Sequence, residues 1–172
     1  MVLEDGETLK ADAIILANAH QAQALGVNRP LGISAGQVSV LQSPAALAAI
    51  VCHKGYTIDT GTAWSSGATY DRHDMSGAVT NENHVANMHE LQQAMPQMPP
   101  LVITGGRTSL RATTPSRLPY IGHVAPGIYA SVGHGSRGMI SAPLAAELIA
   151  AQLCNEPWPV SDALATLLSP HA

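Results

Sequence analysis

The residues best suited to chemistry form a glycine-rich turn at 133–138. Three of its six residues are glycine, and without Cβ atoms they let a flat ligand approach the backbone. An apolar run at 128–132 and an Ala/Leu/Ile segment at about 139–153 flank the turn, which predicts strand, turn and helix. The start of a helix gathers free N–H groups and positive potential, to which Arg137 adds charge. The turn is therefore either an anion site or a tight connection of an α/β protein.

A second chemical feature is a concentration of arginine. Arg107, Arg111 and Arg117 are three of the 8 basic residues, and they fall within eleven positions. Two interpretations stay open at this point. The segment is either a solvated edge strand or the source of a guanidinium that binds a carboxylate, where a two-pronged contact gives both energy and orientation.

Other kinds of site find little support in the sequence. The 8 histidines are scattered, and no spacing of His, Cys, Asp or Glu matches a zinc site, so no metal is predicted. Ser136 is not part of a Gly-x-Ser-x-Gly motif, since position 134 is His, which favours Ser136 as a helix cap over a nucleophile. No catalytic side chain is assigned with certainty. Cys52 and Cys154 lie in no redox spacing and are predicted to be reduced core thiols.

Length and composition indicate a globular protein. The 172 residues are 46% hydrophobic, enough for a sizeable core, and the net charge is −4. That charge argues against this chain alone gripping a phosphate backbone, although another part of a larger protein could hold a nucleic acid. No run approaches the ~18 apolar residues that span a bilayer, and no secretory pattern is present, so we expect a cytoplasmic protein without membrane contact.

The elements that must position these residues can be predicted from pattern. Residues 2–9 read as a hairpin around Asp5-Gly6, and the apolar run 13–17 as a strand buried on both faces. The helix at 82–95 should bury Val85, Met88 and Leu91. The helix after the glycine-rich turn should pack through Ile140, Leu144 and Leu148, with Ile149 and Leu153 beside them. Further predicted elements are strands at 36–41, 51–58, 63–70, 101–103 and 107–112, a turn at 105–106, and helices at 45–50 and about 163–168.

Two separated motifs together resemble a known family. Arg-Ala-Thr-Thr-Pro-Ser-Arg-Leu-Pro-Tyr-Ile-Gly at 111–122 is followed, some ten residues later, by Gly-His-Gly-Ser-Arg-Gly-Met-Ile-Ser-Ala-Pro-Leu-Ala-Ala-Glu. This pair resembles the end of the FAD-dependent amine oxidases related to D-amino-acid and glycine oxidase. Residues 36–39 and 66–70 fit the same pattern, and the resemblance runs from residue 11 to about 159. It is strongest for the members that modify wobble uridine in tRNA.

The resemblance implies a fold and a set of site residues. The fold is α+β or α/β, with a mixed-sheet substrate domain at 21–124 and the C-terminal part of a Rossmann-like FAD-binding domain at 1–20 and 125–172. Arg111 would bind the substrate carboxylate, with Tyr56 and Tyr70 lining the pocket. The residues implied to contact FAD are Gly36, Gln37, Gly133, His134, Gly135, Ser136, Arg137, Gly138 and Met139.

The implied reaction is oxidation of the carboxymethylaminomethyl group of wobble uridine, with release of glyoxylate and with tRNA as the substrate partner. One alternative is a glycine- or sarcosine-type oxidase, and another is a non-catalytic fragment that completes a fold with another chain. The N-terminal Gly-x-Gly-x-x-Gly motif with which this family binds pyrophosphate is missing. We therefore expect a C-terminal portion that is inactive alone, with an upstream half of the same enzyme as a candidate partner.

Overall fold

The computed structural model describes residues 2–72 and 76–171, which divide into two compact units. The discontinuous unit consists of Met1–Gly32 and Arg111–Ala172, and the inserted unit is Ile33–Leu110. These limits differ from the predicted boundaries near residues 20 and 125. The assignment of a cofactor domain and a substrate domain to these stretches stays a prediction. None of the helices in the described ranges has the length and apolarity needed to cross a bilayer.

Within the residues that the structure describes, eight strands and three α-helices make up the two units. The strands are β1 (Ile14–Leu16), β2 (Gly32–Gln42), β3 (Val51–Cys52), β4 (Tyr56–Asp59), β5 (Trp64–Gly67), β6 (Val102–Thr113), β7 (Tyr120–Ala125) and β8 (Ile128–Val132). The helices are α1 (Asn81–Ala94), α2 (Gly138–Cys154) and α3 (Asp162–Leu168), and 3-10 turns span Ala19–Leu25 and Gly135–Arg137. The predicted mixed α/β class is confirmed.

The discontinuous unit is built on a three-stranded mixed sheet in the order β1-β8-β7. Strand β1 runs parallel to β8, and β7 runs antiparallel to it. The predicted burial of β1 on both faces is wrong, because β1 is at the sheet edge and Ile15 is 51% exposed. The predicted hairpin at 2–9 is present as a bridge between Val2 and Thr8.

Helix α2 packs through only part of the predicted face. Leu148 and Ile149 join Ile121 of β7 and Leu168 of α3 in a buried cluster. Ile140 is 80% exposed, because only the second half of the helix meets this cluster. The apolar spacing alone could not reveal which half of the helix has a partner.

The inserted unit has a five-stranded sheet in the order β3-β4-β5-β2-β6, covered by α1. Leu41, Trp64 and Leu91 form its buried apolar cluster. Strand β6 is continuous through the predicted turn at 105–106. Glycine is needed at Gly106 for close packing, since a Cβ there would lie 2.6 Å from His84 Cε1. The predicted strand at 51–58 is a hairpin of β3 and β4.

Two further predictions are wrong for local reasons. Residues 45–50 form no helix, because the Ala45 N–H bonds to Ser43 Oγ and the Leu47 N–H bonds to the Asp59 carboxylate. Cys52 and Cys154 are free thiols but exposed rather than buried. Cys52 belongs to an edge strand, and Cys154 is the last residue of α2.

Helix α1 begins at the N-cap Thr80, whose hydroxyl accepts the Asn83 N–H, close to the predicted start. Its buried face carries His84 and Asn87 beside Leu91, whereas Val85 is 59% exposed. The predicted apolar face is therefore partly wrong.

Polar partners on β2 explain this burial. Asn87 Nδ2 donates to the Gln37 carbonyl at 2.9 Å and to Ser39 Oγ at 3.1 Å. His84 Nδ1 lies 2.8 Å from the same hydroxyl. The buried polar groups of α1 are thus satisfied by the strand beneath.

Candidate functional site

The glycine-rich turn lies at the carboxyl end of β8, beside the carboxyl end of the parallel strand β1. Leu16 pairs with Ala130, so the segment after β1 and the turn after β8 meet at the same edge of the sheet. The predicted order of strand, turn and helix is confirmed, with the 3-10 turn Gly135–Arg137 leading into α2. Ligands of open α/β sheets bind at such an edge.

The glycines of the turn serve different purposes. Gly133 has a φ of +75°, and a Cβ there would lie 2.5 Å from Thr114 Cγ2, so packing within the protein requires glycine. Gly135 has a φ of +57°, and nothing lies within 4 Å of a Cβ built on it. The backbone is therefore open to a ligand at Gly135, while Gly133 is closed by Thr114.

The start of α2 carries no side-chain cap. The N-cap residue is Arg137, and its side chain makes no cap hydrogen bond. The prediction of Ser136 as the helix cap is therefore wrong. Ser136, Arg137 and Met139 are exposed. Uncapped N–H groups and one guanidinium at the same helix end make a site where negative charge is stabilised.

The His134 side chain forms hydrogen bonds with both elements that flank the turn. Its Nε2 lies 3.0 Å from Ser131 Oγ of β8, and its Nδ1 lies 2.7 Å from Ser141 Oγ of α2. Since Ser141 Oγ donates its proton to the Arg137 carbonyl at 3.0 Å, it accepts from His134 Nδ1–H. Burial lowers the pKa of His134, against a hydrogen bond with the Ser131 backbone that raises it, so the neutral ring is favoured. The contact of His134 with a cofactor stays a prediction.

Gly36 and Gln37 lie on β2 and are buried. The Gln37 amide bonds to the backbone of Thr80 in both directions, donating to the carbonyl at 2.9 Å and accepting the N–H at 2.8 Å. The side chain thereby holds the start of α1, and the contact of both residues with a cofactor stays a prediction.

The predicted substrate residues lie in different surroundings. Tyr56 and Tyr70 are both more than half exposed in the inserted unit, and the Arg72 guanidinium lies 5.5 Å from the centre of the Tyr70 ring. Tyr70 lines a cavity of about 340 Å³, which Tyr56 does not line. Arg111 is partly buried near the end of β6. Their joint role in substrate binding stays a prediction.

That cavity was missed by sequence reasoning. Lys54 and Glu90 meet across it at 2.6 Å, and the hydrogen bond from Lys54 lowers the pKa of Glu90. Burial lowers the pKa of His53, partly opposed by the Glu90 charge. The sequence signal for this cavity was the polar pair His53-Lys54 inside a predicted strand. Within residues 2–72 and 76–171, no three His, Cys, Asp or Glu side chains are placed to hold a metal ion.

The geometry fits a flat cofactor that gains negative charge, because open space at Gly135 adjoins the uncapped start of α2. Comparison with known protein families finds one that matches most of this chain. The family described as DAO, FAD dependent oxidoreductase, matches residues 2–152.

Curated relatives are similar to this chain along most of its length. The tRNA 5-methylaminomethyl-2-thiouridine biosynthesis bifunctional protein MnmC of Idiomarina loihiensis is 36% identical over 174 residues, covering 94% of this chain and 28% of that protein. The protein of the same name from Chromohalobacter salexigens is 32% identical over 213 residues, covering 99% and 30%. The chain thus spans about 30% of the length of these curated relatives.

Solved structures share the fold. Iminodiacetate oxidase from a Chelativorans species superposes with a TM-score of 0.80 at 23% identity, covering 93% of this chain and 47% of that one. Glycine oxidase from Geobacillus kaustophilus gives a TM-score of 0.77 at 22% identity, covering 90% and 45%.

Proposed function

Because this chain belongs to the DAO family of FAD-dependent oxidoreductases, we propose that it contributes the oxidase chemistry of a tRNA-modifying enzyme. The reaction is oxidation of the carboxymethylaminomethyl group of wobble uridine, which releases glyoxylate. Support for this substrate comes from relatives named for 5-methylaminomethyl-2-thiouridine biosynthesis, which align with 94% and 99% of the chain. With tRNA as substrate, we place the protein in the cytoplasm.

The observation that carries the proposal is the uncapped start of α2 beside the open backbone at Gly135. Residues 133–139 would hold the flavin there. FAD, when bound, accepts a hydride from the carbon next to an amine nitrogen. The first N–H groups of α2 and the Arg137 charge favour the negative charge that develops, which is electrostatic catalysis without an obligatory acid or base side chain.

Arg111 is proposed to bind the carboxylate of the substrate group, and Tyr56 and Tyr70 are kept as candidate substrate-binding residues. Charge-assisted, two-pronged contact would fix which carbon faces the oxidant. The carbon loses a hydride and the nitrogen a proton, so the C–N single bond becomes a double bond. Water then adds to that bond, and its cleavage leaves glyoxylate and an aminomethyl group on the base.

The test uses the full-length gene product loaded with FAD. Incubation with tRNA that carries carboxymethylaminomethyl-uridine should release glyoxylate, measured as its hydrazone, and should leave aminomethyl-uridine in the digested tRNA. Glycine and sarcosine serve as competing substrates. Turnover of either amine but not of the tRNA would replace our proposal with an amino-acid oxidase. Absence of flavin from the purified protein would favour a role in completing a fold.

A further inference from the structure

A second cavity, of about 550 Å³, lies in the discontinuous unit where β7 and β8 face α2 and α3. We call it the α2–α3 cavity. The reaction proposed above makes no use of it. The residues that carry the argument are His123, Tyr129, Gln152, Trp158 and His171, all of which line the cavity.

Flat rings are concentrated at the α2–α3 cavity. The chain has only 4 Tyr and 2 Trp and no Phe, yet Tyr129 and Trp158 both line this space. The His123 ring packs edge-on against Tyr129, with centroids 5.7 Å apart at 82°, and His171 lies 6.3 Å from His123. Aromatic and imidazole rings are the surfaces on which planar heterocycles stack in proteins.

Gln152 brings an unused polar group to the same space. Its Oε1 is buried and has no hydrogen-bond partner. Glycine at position 122 leaves room for the amide, since a Cβ on Gly122 would lie 3.0 Å from both Oε1 and Nε2. Buried acceptors are normally paired with a donor. The Gln152 Oε1 atom is therefore available to a donor group of a ligand. The neighbouring donor and acceptor of an amide match the edge of a nucleobase.

We propose that the α2–α3 cavity binds a nucleobase, which stacks on its rings and bonds to the Gln152 amide. The volume accommodates a base and its ribose. The base could come from a free nucleoside or from an unpaired position of an RNA strand, because both present the same ring and edge.

The test is calorimetric titration of the 172-residue chain with adenosine and with a short single-stranded oligoadenylate. We expect saturable binding of one base per chain. Gln152→Leu keeps the volume and removes the amide, and it should weaken binding at least about tenfold. Its melting temperature should not fall, since the lost amide oxygen has no partner in the fold. Gln21→Leu changes an exposed glutamine of the same unit and should bind like the native chain.

The two sources of the base give different results. Equal affinity per base for adenosine and the oligomer indicates a free nucleoside, and much tighter binding of the oligomer indicates an RNA strand. The proposal is overturned if neither probe binds saturably, or if Gln152→Leu binds as tightly as the native chain.

Discussion

His134 is the residue whose role depends most on its neighbours. The sequence predicted the turn around it, from glycine spacing and the flanking apolar runs. It could not predict the two hydrogen bonds of the ring, because Ser131 and Ser141 come within reach of it only after β8 and α2 have formed. Ser136 shows the same limit, since Arg137 occupies the cap position of α2 instead.

The lowered pKa of His134 makes stability depend on pH. Below the ordinary value of 6.5 the unfolded chain binds a proton that the folded His134 resists, so stability should fall as the pH decreases from 6.5 towards the folded pKa. Above 6.5 this contribution is constant. His134→Gln should reduce the drop in melting temperature between about pH 7.5 and about pH 5.5. His53 shifts in the same direction and remains in both proteins.

The control for this measurement is His89→Gln, an exposed histidine of α1. It shows how far the loss of any one histidine changes the dependence of the melting temperature on pH. If His134→Gln keeps the native dependence, the ring is not held neutral by its surroundings.

Replacement of Arg111 tests the carboxylate contact. In the FAD-loaded full-length protein, Arg111→Met should raise KM for the modified tRNA by roughly 10- to 150-fold, as expected for a charge-assisted contact of about 1.5–3 kcal/mol. The flavin absorbance should stay native. Arg107→Met removes an equal charge from the same strand, where Arg107 Nη1 bonds to Ser109 Oγ, and should change KM little. Equal effects of both variants would argue for general attraction of RNA.

Gly135→Val tests the opening beside the turn. The branched side chain would fill the space where the ring is proposed to lie, so bound flavin per mole of full-length protein should fall. Strain at positive φ also contributes, and Gly26→Val is the matched control because Gly26 has a φ of +106° and open space around it. Comparable flavin loss in both variants would mean that strain alone is responsible.

At the scale of elements, pattern located α1 and α2 within a residue or two but misjudged part of each buried face. The burial of Asn87 depends on Gln37 and Ser39, which lie 50 and 48 residues away in sequence. An apolar periodicity carries no information about such distant polar partners. The continuous β6 was missed for a similar reason, since Gly106 serves contact with His84 rather than a turn.

Substitutions on the two faces of α1 should differ in how much they change the free energy of unfolding. Asn87→Ala should lower the free energy of unfolding by about 1–3 kcal/mol, because it removes the donor to the Gln37 carbonyl and Ser39 Oγ. Val85→Ala, on the exposed side, should change it by no more than about 0.5 kcal/mol. Urea unfolding measures both. A larger loss for Val85→Ala would restore the face that the sequence predicts.

At the scale of the molecule, the fold class followed from pattern and resemblance together. The boundaries of its two units did not, because they depend on which strands pair. Strands β2 and β6 are neighbours in the inserted sheet, and the chain enters and leaves the inserted unit along them. Sequence spacing placed these crossings near residues 20 and 125, whereas the compact units change at 32/33 and 110/111.

Exposed apolar residues predict how the chain behaves on its own. Ile15 of the edge strand β1 and Met139 and Ile140 of α2 are largely open to solvent, close to the proposed flavin position. We expect the isolated 172-residue chain to retain less FAD through gel filtration than the full-length protein does. The flavin absorbance spectrum after the column is the measurement. Full retention by the isolated chain would show that residues 133–139 and their surroundings suffice.

The position of the two tryptophans has a practical consequence. Trp64 is almost fully buried in the inserted unit, whereas Trp158 is 44% exposed in the discontinuous one. Each unit thus carries its own tryptophan. The emission maximum of Trp64 should lie at a shorter wavelength than that of Trp158, because the Trp64 indole is buried and the Trp158 indole is partly exposed to water. Trp158→Phe would leave tryptophan emission from the inserted unit alone. Comparison with the native protein would then show the order in which the two units melt, without any added label.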